Sequence, residues 1–194
     1  MGICIAALIV SGVGVEDRFT WLLEVAPAMI AIVVLTATYR RFTFTNLVYI
    51  LILIHSLILM LGGHYTYAKV PLGFWMQDLF HFSRNHYDRI GHFAQGFVPA
   101  MIAREIFIRQ KVINGDKWRA VLTVAVCMAI SALYELVEWW TSLMSGSAGD
   151  AFLGTQGDVW DTQSDMFFAT IGAITALMLL GRIHDRQLAS RVTV

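Results

Sequence analysis

Acidic and imidazole side chains stand together at the start of the fourth apolar run, in the stretch RNHYDRIGHFAQGF, residues 84–97. Asp88 and His92 are four residues apart, so they share one face if a helix begins before residue 88. His64 lies in the loop that precedes this run. Imidazole and carboxylate groups together are the ligands of zinc, manganese and iron sites in proteins. The stretch therefore predicts metal binding or proton transfer.

The fifth apolar run contains a second group of acids at a greater depth. In SALYELVEWW, Ser131, Glu135 and Glu138 lie at i, i+4 and i+7, with Glu135 roughly 15 Å below the outer end of the run. A charged acid near the centre of a membrane helix costs about 2.5–3.5 kcal/mol on insertion scales. The pair therefore indicates a function. The structural alternative is two buried acids that are protonated or bonded to Arg89 or to Ser131.

A third group of acids precedes the last apolar run, in the stretch GDVWDTQSD. If a helix starts near Gly157, then Asp158, Asp161 and Asp165 occupy positions i, i+3 and i+7 on one face. Three carboxylates on one stripe repel one another unless a cation or a proton lies among them. A capping role at a helix N-terminus explains Asp158 or Asp161, but it does not explain Asp165, which lies one turn further inside.

The composition indicates which elements must position these groups. Of the 194 residues, 57% are hydrophobic and 14% are charged, and the mean hydropathy is +0.63, which is outside the range of soluble domains. Apolar runs near the roughly 20 residues that span a bilayer predict an all-α polytopic integral membrane helical bundle. We expect about six transmembrane helices in one domain, residues 1–194, although the first run is short for a span. The predicted spans are residues 2–14, 20–39, 44–62, 91–108, 118–144 and 162–181.

The distribution of charge predicts how this bundle is oriented. With the N-terminus in the cytoplasm, four of the 14 Lys and Arg residues fall on the outer side and the other ten face the cytoplasm, as flanking Lys and Arg prefer. Both termini are then cytoplasmic. Of the 14 Asp and Glu residues, only Glu105, Asp116 and Asp185 map to the cytoplasmic half, so the outer half is strongly acidic. The Lys and Arg residues on the outer side are Arg18, Lys69, Arg84 and Arg89.

Two outer loops, residues 63–90 and 145–161, flank the acidic segments. In the first loop, FWMQDLFHF has apolar side chains at helical spacing and predicts a short helix at the membrane interface, suited to a lid or a substrate gate. The second loop begins with Gly and Ser residues, which do not continue a helix well. We expect the fourth, fifth and sixth spans to bring the acids and His92 into one outward-facing cavity.

The most specific hypothesis is a metal-dependent hydrolase that acts at the outer leaflet. Its cofactor would be a divalent metal, zinc in the first place, with manganese, iron or calcium as alternatives, and the metal would lower the pKa of a bound water. Its substrate would be a membrane lipid, a lipid-linked precursor of the envelope, or a small amphiphile that enters between helices under residues 74–87. Asp88, Glu138 and Asp158 would be the catalytic residues that transfer protons. The predicted metal ligands are His64, His92, Glu135, Asp161 and Asp165.

Two other classes of function stay open. A proton- or cation-coupled transporter would use Glu24, Glu135 and Glu138, but the inner halves of the spans, VLTVAVCMAI and AITALMLLG, offer no continuous polar path. A noncatalytic lipid- or antibiotic-binding protein would use the acids only for packing and structure. The sequence contains no basic cluster with interleaved aromatic residues, so nucleic acid is not an expected partner.

Four motifs of the chain resemble those of bacterial inner-membrane proteins related to YjdF. The motifs are HYTYAKVPLG, RNHYDRIGHFAQGFVPA, ALYELVEWW and GTQGDVWDTQSDM, and they occur in this order over essentially the whole chain. The resemblance implies a multi-pass protein in the inner, cytoplasmic membrane of a bacterium. It does not imply a particular reaction.

A fainter resemblance is to VanZ-like membrane proteins, a group associated with glycopeptide antibiotic resistance at the envelope. That pattern has an aspartate, a His-Phe pair, a buried glutamate and two aspartates on a final helix. This sequence departs from it at Ala169, where the family usually has an asparagine. The matching positions are Asp88, His92, Phe93, Glu135, Asp161 and Asp165, followed by Gly172 and Ala173.

Overall fold

The structure is a computed structural model that describes residues 1–145 and 155–192. Within these ranges the chain forms seven α-helices and no β-strand, which confirms the predicted all-helical class. A short 3-10 turn, Tyr67–Lys69, links the third and fourth helices. The helices are α1 (Gly2–Ser11), α2 (Arg18–Thr38), α3 (Asn46–Tyr65), α4 (Pro71–Phe80), α5 (Tyr87–Arg109), α6 (Asp116–Ser145) and α7 (Asp161–Val192).

Four helices, α2, α3, α6 and α7, are long and apolar enough to cross a membrane, with mean hydropathy of 1.8–2.1 over 18-residue windows. Helix α5 has 23 residues, but charged side chains stand near both of its ends. Helix α1 has only 10 residues and is shorter than the first predicted span, since residues 12–14 form a turn. The protein is therefore a helical membrane protein, and its described part contains four long apolar helices.

Side chains just before α2 and α3 determine where these helices begin. Asp17 accepts hydrogen bonds from the backbone N–H groups of Phe19 (3.1 Å) and Thr20 (3.2 Å), and from the Thr20 hydroxyl (2.6 Å). The bond from the Thr20 hydroxyl is the main reason why the pKa of Asp17 lies below its ordinary value. Thr45 caps α3 by accepting from the Val48 N–H. Both caps satisfy backbone donors that a helix start leaves without intrahelical partners.

Helix α5 lies at the centre of the bundle, where it contacts α3, α6 and most extensively α7. Gly96 permits the close approach to α7, because a Cβ atom there would lie 1.7 Å from the Ala169 carbonyl oxygen. Gly172 does the same from the other side, since its Cβ atom would lie 2.1 Å from the Phe93 carbonyl oxygen. Small residues of this kind let membrane helices pack backbone to backbone. The acids at the start of α7 therefore lie beside the start of α5.

The two ends of the bundle hold different polar groups. We call them the Asp88 end, where α2, α5 and α7 begin, and the Glu105 end, where α3 and α6 begin. Each long helix passes from one end to the other, so each end combines residues from several chain segments that are distant in sequence. This alternation agrees with the up-and-down order of the predicted spans.

The first predicted outer loop contains the short helix expected from FWMQDLFHF. Helix α4 begins at Pro71, a favourable first position for proline, and stops at His81, whose φ of 56° is left-handed. Trp75 and Phe80 are 61% and 58% exposed, which is typical of a helix at a membrane interface. Of the second predicted loop, 145–161, residues 146–154 lie outside the described residues.

Candidate functional site

The turn before α5 positions Asp88 and His92. The Asn85 side chain, which is 1% exposed, accepts a hydrogen bond from the Tyr87 N–H and donates one to the Val70 carbonyl oxygen, both at 3.0 Å. This anchors the first turn of α5 to the start of α4. Asp88 and His92 follow on one face of the helix, as their spacing predicts.

His92 lies between two carboxylates. Its Nε2 atom is 3.2 Å from Asp88 Oδ1 and 3.6 Å from Asp165 Oδ1, and one donor atom of each residue lies within 4.8 Å of the other two. The other ring nitrogen, Nδ1, is 3.2 Å from Gln95 Oε1 and 3.8 Å from Glu135 Oε1. His92 and Asp165 are buried. Two carboxylates and one imidazole around one point are a donor set suited to a divalent cation.

Two buried arginines hold the acids at the start of α7. Arg84 donates to Asp161 (2.5 Å), to Asp158 (3.1 Å) and to the Thr155 carbonyl oxygen (2.9 Å). Arg89 contacts Asp161 at 2.9 Å and Asp158 at 3.1 Å, and it forms a further ion pair with Asp165. Asp158, Asp161 and Asp165 thus all have cationic partners within the protein, and Asp88 lies 3.7 Å from Arg89 as well. The structure places Asp161, a predicted metal ligand, in this arginine cluster and not beside the His92 ring.

The start of α7 differs from the expectation. Asp158 Oδ1 accepts a hydrogen bond from the Trp160 N–H (2.9 Å), which closes a turn, and the helix begins at Asp161 and not near Gly157. The Trp160 N–H, followed by the charges of Arg84 and Arg89, holds the pKa of Asp158 below its ordinary value. The condition of a helix start near Gly157 is therefore not met, and Asp158 lies outside the helix because its side chain bonds the backbone before it. The predicted last span, 162–181, lies within α7.

Glu135 has a carboxylate oxygen without a hydrogen-bond partner in the part of the chain that the structure describes. This atom, Oε1, is buried and faces His92 Nδ1 at 3.8 Å. The hydroxyl of Ser131, one turn earlier on α6, is likewise buried without such a partner, so it does not bond Glu135. An unsatisfied buried acceptor costs about 1–3 kcal/mol, and it calls for a proton, a water or an ion.

A cavity of about 650 Å³ opens beside the His92 group, between α2, α3, α5 and α6. Glu24, on α2, accepts a hydrogen bond there from the Tyr134 hydroxyl at 3.3 Å. The predicted proton-transfer residue Glu138 also faces this cavity. The polar side chains nearest the Asp88 end are Glu24, Asp88, His92, Gln95, Tyr134 and Glu138.

Towards the Glu105 end the wall of this cavity becomes apolar. On α5 the lining residues run from Asp88 to Ile106, a distance of about 27 Å along a helix. The walls there are made of residues such as Val34, Ile52 and Val126. Among the lining residues that the structure describes, none is Lys or Arg. The cavity thus has a mouth of carboxylates and His92, and a long interior that is apolar except for His55 and Ser56 in the middle of α3.

His64, another predicted ligand, lies at the end of α3, away from the His92 group. Its Nδ1 atom is 2.9 Å from the Ser11 carbonyl oxygen, and its ring contacts Tyr65 edge to face. This bond ties the end of α3 to the end of α1. The structure therefore brings together His92, Glu135 and Asp165 of the predicted ligands, and it adds Asp88.

Several residues of the site were not identified from the sequence. Gln95 follows His92 by one turn on the same face, which is a local signal that an i, i+3 search would find. Arg84 served only to predict orientation, and Arg89 was considered beyond that only as a partner of Glu135 and Glu138, whereas both arginines bind acids of α7. Nothing in their spacing indicates this. Tyr134 precedes Glu135 by one residue and faces the cavity, a direction that depends on how α6 is rotated in the bundle.

These features define a class: a helical membrane protein with a buried carboxylate and imidazole site at one end. The family described as "Predicted membrane protein (DUF2238)" matches residues 1–186, and the chain belongs to this family. The chain is 54% identical over 181 residues to "Inner membrane protein YjdF" of Escherichia coli (strain K12), covering 93% of this chain and 87% of that protein. The predicted family is confirmed. No solved structure matches the chain.

Proposed function

We propose that Asp88, His92 and Asp165 hold a divalent metal ion, zinc in the first place, and that the protein is a metal-dependent hydrolase of a membrane amphiphile. One observation carries the proposal: His92 Nε2 faces two carboxylate oxygens at 3.2 and 3.6 Å, while Nδ1 faces the Gln95 amide oxygen. A histidine that binds a metal through one nitrogen donates its other N–H to an orienting acceptor in the same way.

The two distances from His92 Nε2 to the carboxylate oxygens suit a small tetrahedral ion. Ligands about 2.0–2.1 Å from zinc at tetrahedral angles lie roughly 3.3 Å apart. The two measured distances from His92 Nε2, 3.2 and 3.6 Å, are close to this value. Asp165 Oδ1 also contacts Arg89, which orients this carboxylate. A fourth position would be left for a water molecule.

The proposed roles of the residues follow from their positions. A bound metal would supply a water of lowered pKa as the nucleophile. Glu135, whose Oε1 is buried without a partner in the described chain, would accept the proton of that water. Glu138 faces the cavity and would protonate the leaving group. The proposal thus assigns Asp88 to the metal, keeps Glu138 in proton transfer and leaves His64, Asp158 and Asp161 in supporting positions.

The transporter alternative has less support from the same cavity. A proton or cation pathway needs polar groups from one side of the membrane to the other. The cavity wall towards the Glu105 end is lined by Val34, Ile102 and Ile106. If the folded protein binds no metal, a noncatalytic binding protein becomes the favoured alternative.

We also propose that six segments cross the membrane, with both termini cytoplasmic and the Asp88 end facing outward. The distribution of Lys and Arg supports this orientation. Exposed Trp139, Trp140 and Trp160 near the Asp88 end agree with an interfacial aromatic belt. Reporter domains fused after His81 and after Gly115 should be active on the outer and cytoplasmic sides, respectively. The opposite pattern would reverse the orientation and place the site inward.

The test of the metal site is elemental analysis of the protein purified in detergent after removal of any metal-binding tag. Wild type should contain close to one zinc, manganese or iron ion per chain, and His92→Gln and Asp165→Asn should lose it. Asp185→Asn, a change of the same type at the Glu105 end, should retain it. A folded wild-type protein that stays metal-free after resupply would overturn the proposal and favour a noncatalytic binding cavity.

A further inference from the structure

We propose that the cavity binds a single-chain amphiphile with a cationic amine head group, which enters from the bilayer between α2 and α6. The inference names the substrate class of the site and rests on the proposed function for the reaction, whereas the binding itself needs no metal. Three observations carry it: the shape of the cavity, the charge of its mouth and the packing of the helices around it.

The shape of the cavity fits one hydrocarbon chain. Its volume of about 650 Å³ lies within the range of about 300–1,000 Å³ found for small-molecule sites. Its lining follows α5 for about 27 Å, from Asp88 to Ile106, so the space is long in the direction of the helices. This length is close to the roughly 30 Å thickness of a bilayer hydrocarbon core. One extended acyl or prenyl chain can therefore lie along the cavity.

The charge of the mouth selects the head group. Glu24, Asp88 and Glu138 line it, and no Lys or Arg is among the described residues of the lining. His92 also lines the mouth, but its Nε2 atom already lies between Asp88 and Asp165, so an anionic head group would meet three lining carboxylates and one imidazole that is engaged by acids, which is unfavourable in a desolvated site. An amine would neutralise these acids. The rings of Tyr67 and Tyr134, which also line the cavity, suit a cation as well.

The entrance lies between α2 and α6. Helix α2 packs on α3, and α6 packs on α5 and α7, but no comparable packing joins α2 to α6 within residues 1–145. Lining residues on both sides of this gap are exposed: Ile30 and Val34 on α2, and Ile130 on α6. The hydrogen bond from Tyr134 to Glu24 crosses the gap at the Asp88 end. Below this bond, a chain can pass sideways from the bilayer into the cavity.

The first test compares three ligands with the same chain on the wild-type protein without metal. Hexadecylamine, hexadecanol and hexadecyl phosphate are titrated in chelator-containing detergent, and binding is measured by native mass spectrometry. The amine should bind about tenfold or more tightly than the phosphate, with the alcohol between them. Equal binding of all three ligands, or tighter binding of the phosphate, would overturn the proposal.

Variants then separate the chain site, the head-group site and the metal site. The double change Glu24→Gln with Glu138→Gln should remove the preference for the amine while hexadecanol still binds. Ala103→Trp fills the interior and should weaken all three ligands, whereas Leu133→Trp, on the exposed face of α6, should not.

Asp165→Asn distinguishes this inference from the proposed function. The variant should lose metal but keep amine binding, since Asp165 does not line the cavity. If wild type binds the amine but stays metal-free after metal resupply, the amphiphile site is supported and the hydrolase proposal is refuted. If wild type and Leu133→Trp bind metal but none of the three ligands, the proposed amphiphile site is refuted and the metal site is not.

Discussion

The two ends of the bundle use the same residue types in opposite ways. At the Glu105 end a buried glutamate and a buried histidine meet and have all their partners within the protein. At the Asp88 end a buried histidine meets several carboxylates, and Glu135 keeps an oxygen without a hydrogen bond in the described chain. The first arrangement is closed, and the second leaves room for a ligand.

Glu105 illustrates the closed arrangement. Its carboxylate accepts hydrogen bonds from the Thr45 N–H (3.0 Å) and hydroxyl (2.8 Å), and from Arg109 (2.9 Å). His184 Nδ1 lies 2.9 Å from Arg104, and an arginine can only donate, so Nδ1 accepts. His184 Nε2 then carries the proton and donates it to Glu105 at 3.0 Å. This network joins the start of α3 to α5 and α7.

The neighbouring cavities show the same contrast. A hollow of about 1,130 Å³ near the Glu105 end, between α1, α2 and α3, is larger than the cavity of the Asp88 end. Arg40, Arg41 and Arg191 line it, and its lining includes no carboxylate or imidazole. Size alone therefore does not identify the site. The carboxylates and imidazoles that line the smaller cavity, with the unsatisfied Glu135 oxygen beside them, distinguish it from the larger hollow.

The largest expected effect follows from opening the closed network. Glu105→Ala should lower the free energy of unfolding by about 3–5 kcal/mol, because its removal leaves buried cationic and polar groups without a partner. Asp185→Ala, which removes a 58% exposed partner of Arg104, should cost no more than about 1 kcal/mol. Denaturant unfolding in detergent measures both. Similar losses in the two variants would mean that the Glu105 end is not a structural network.

A substitution at the helix crossing should disturb both ends. Gly96→Ala pushes α5 away from the Ala169 carbonyl oxygen and should cost about 1–3 kcal/mol, with loss of bound metal. Gly181→Ala is the matched control on α7, since a Cβ atom there meets nothing within 4 Å, and it should stabilise by about 0.5–1 kcal/mol. The unfolding free energies and metal contents check this. A harmless Gly96→Ala would show that the two helices can separate without harm to the site.

The same chemical change at each end compares them directly. Glu135→Gln should alter the free energy of unfolding by less than about 1 kcal/mol, because the Oε1 atom has no hydrogen bond to lose within the described chain. Glu105→Gln should cost about 1–3 kcal/mol, since an amide cannot accept all the bonds of the carboxylate. Glu135→Gln should also keep the metal. Larger destabilisation by Glu135→Gln than by Glu105→Gln would reverse our assignment of the two ends.

The smallest expected effect is a pH dependence at Asp158. The Trp160 N–H and the two arginines lower its pKa in the folded state, so its contribution to stability is present above the unfolded value of about 3.9. That contribution is lost as the pH falls through the lower folded value. The melting temperature of wild type should therefore drop more between pH 5 and pH 3 than that of Asp158→Asn. Asp78→Asn, on exposed α4, should behave like wild type. An equal drop in all three proteins would show that Trp160 and the two arginines do not stabilise the charged form of Asp158.

Most of the fold followed from local patterns. Each predicted span contains a helix, because apolar runs of sufficient length satisfy their backbone groups within one segment. The short helix α4 followed from its apolar spacing. The position of Asp158 did not follow from local patterns, because its side chain bonds the Trp160 N–H in a turn before α7 begins.

The candidate site was partly readable in the same way. The pairing of Asp88 with His92 is an i, i+4 relation within one helix, so the chain itself places both on one face. The identity of the third donor, Asp165, does not follow from local spacing. Asp165 reaches this pair, and His64 does not, only because glycines let α5 and α7 pack closely while α3 ends beside α1.

Local spacing and hydropathy were enough to establish a helical membrane protein with acids and a histidine near one end, since both properties depend on neighbours in the chain. Only the folded chain decides which acids receive an arginine and which remain without one. Arg89 and Asp165, for example, are 76 positions apart and meet through the α5–α7 contact. The packing of the helices therefore determines how many cations reach each acid. The same packing leaves a cavity at the Asp88 end that can hold a ligand.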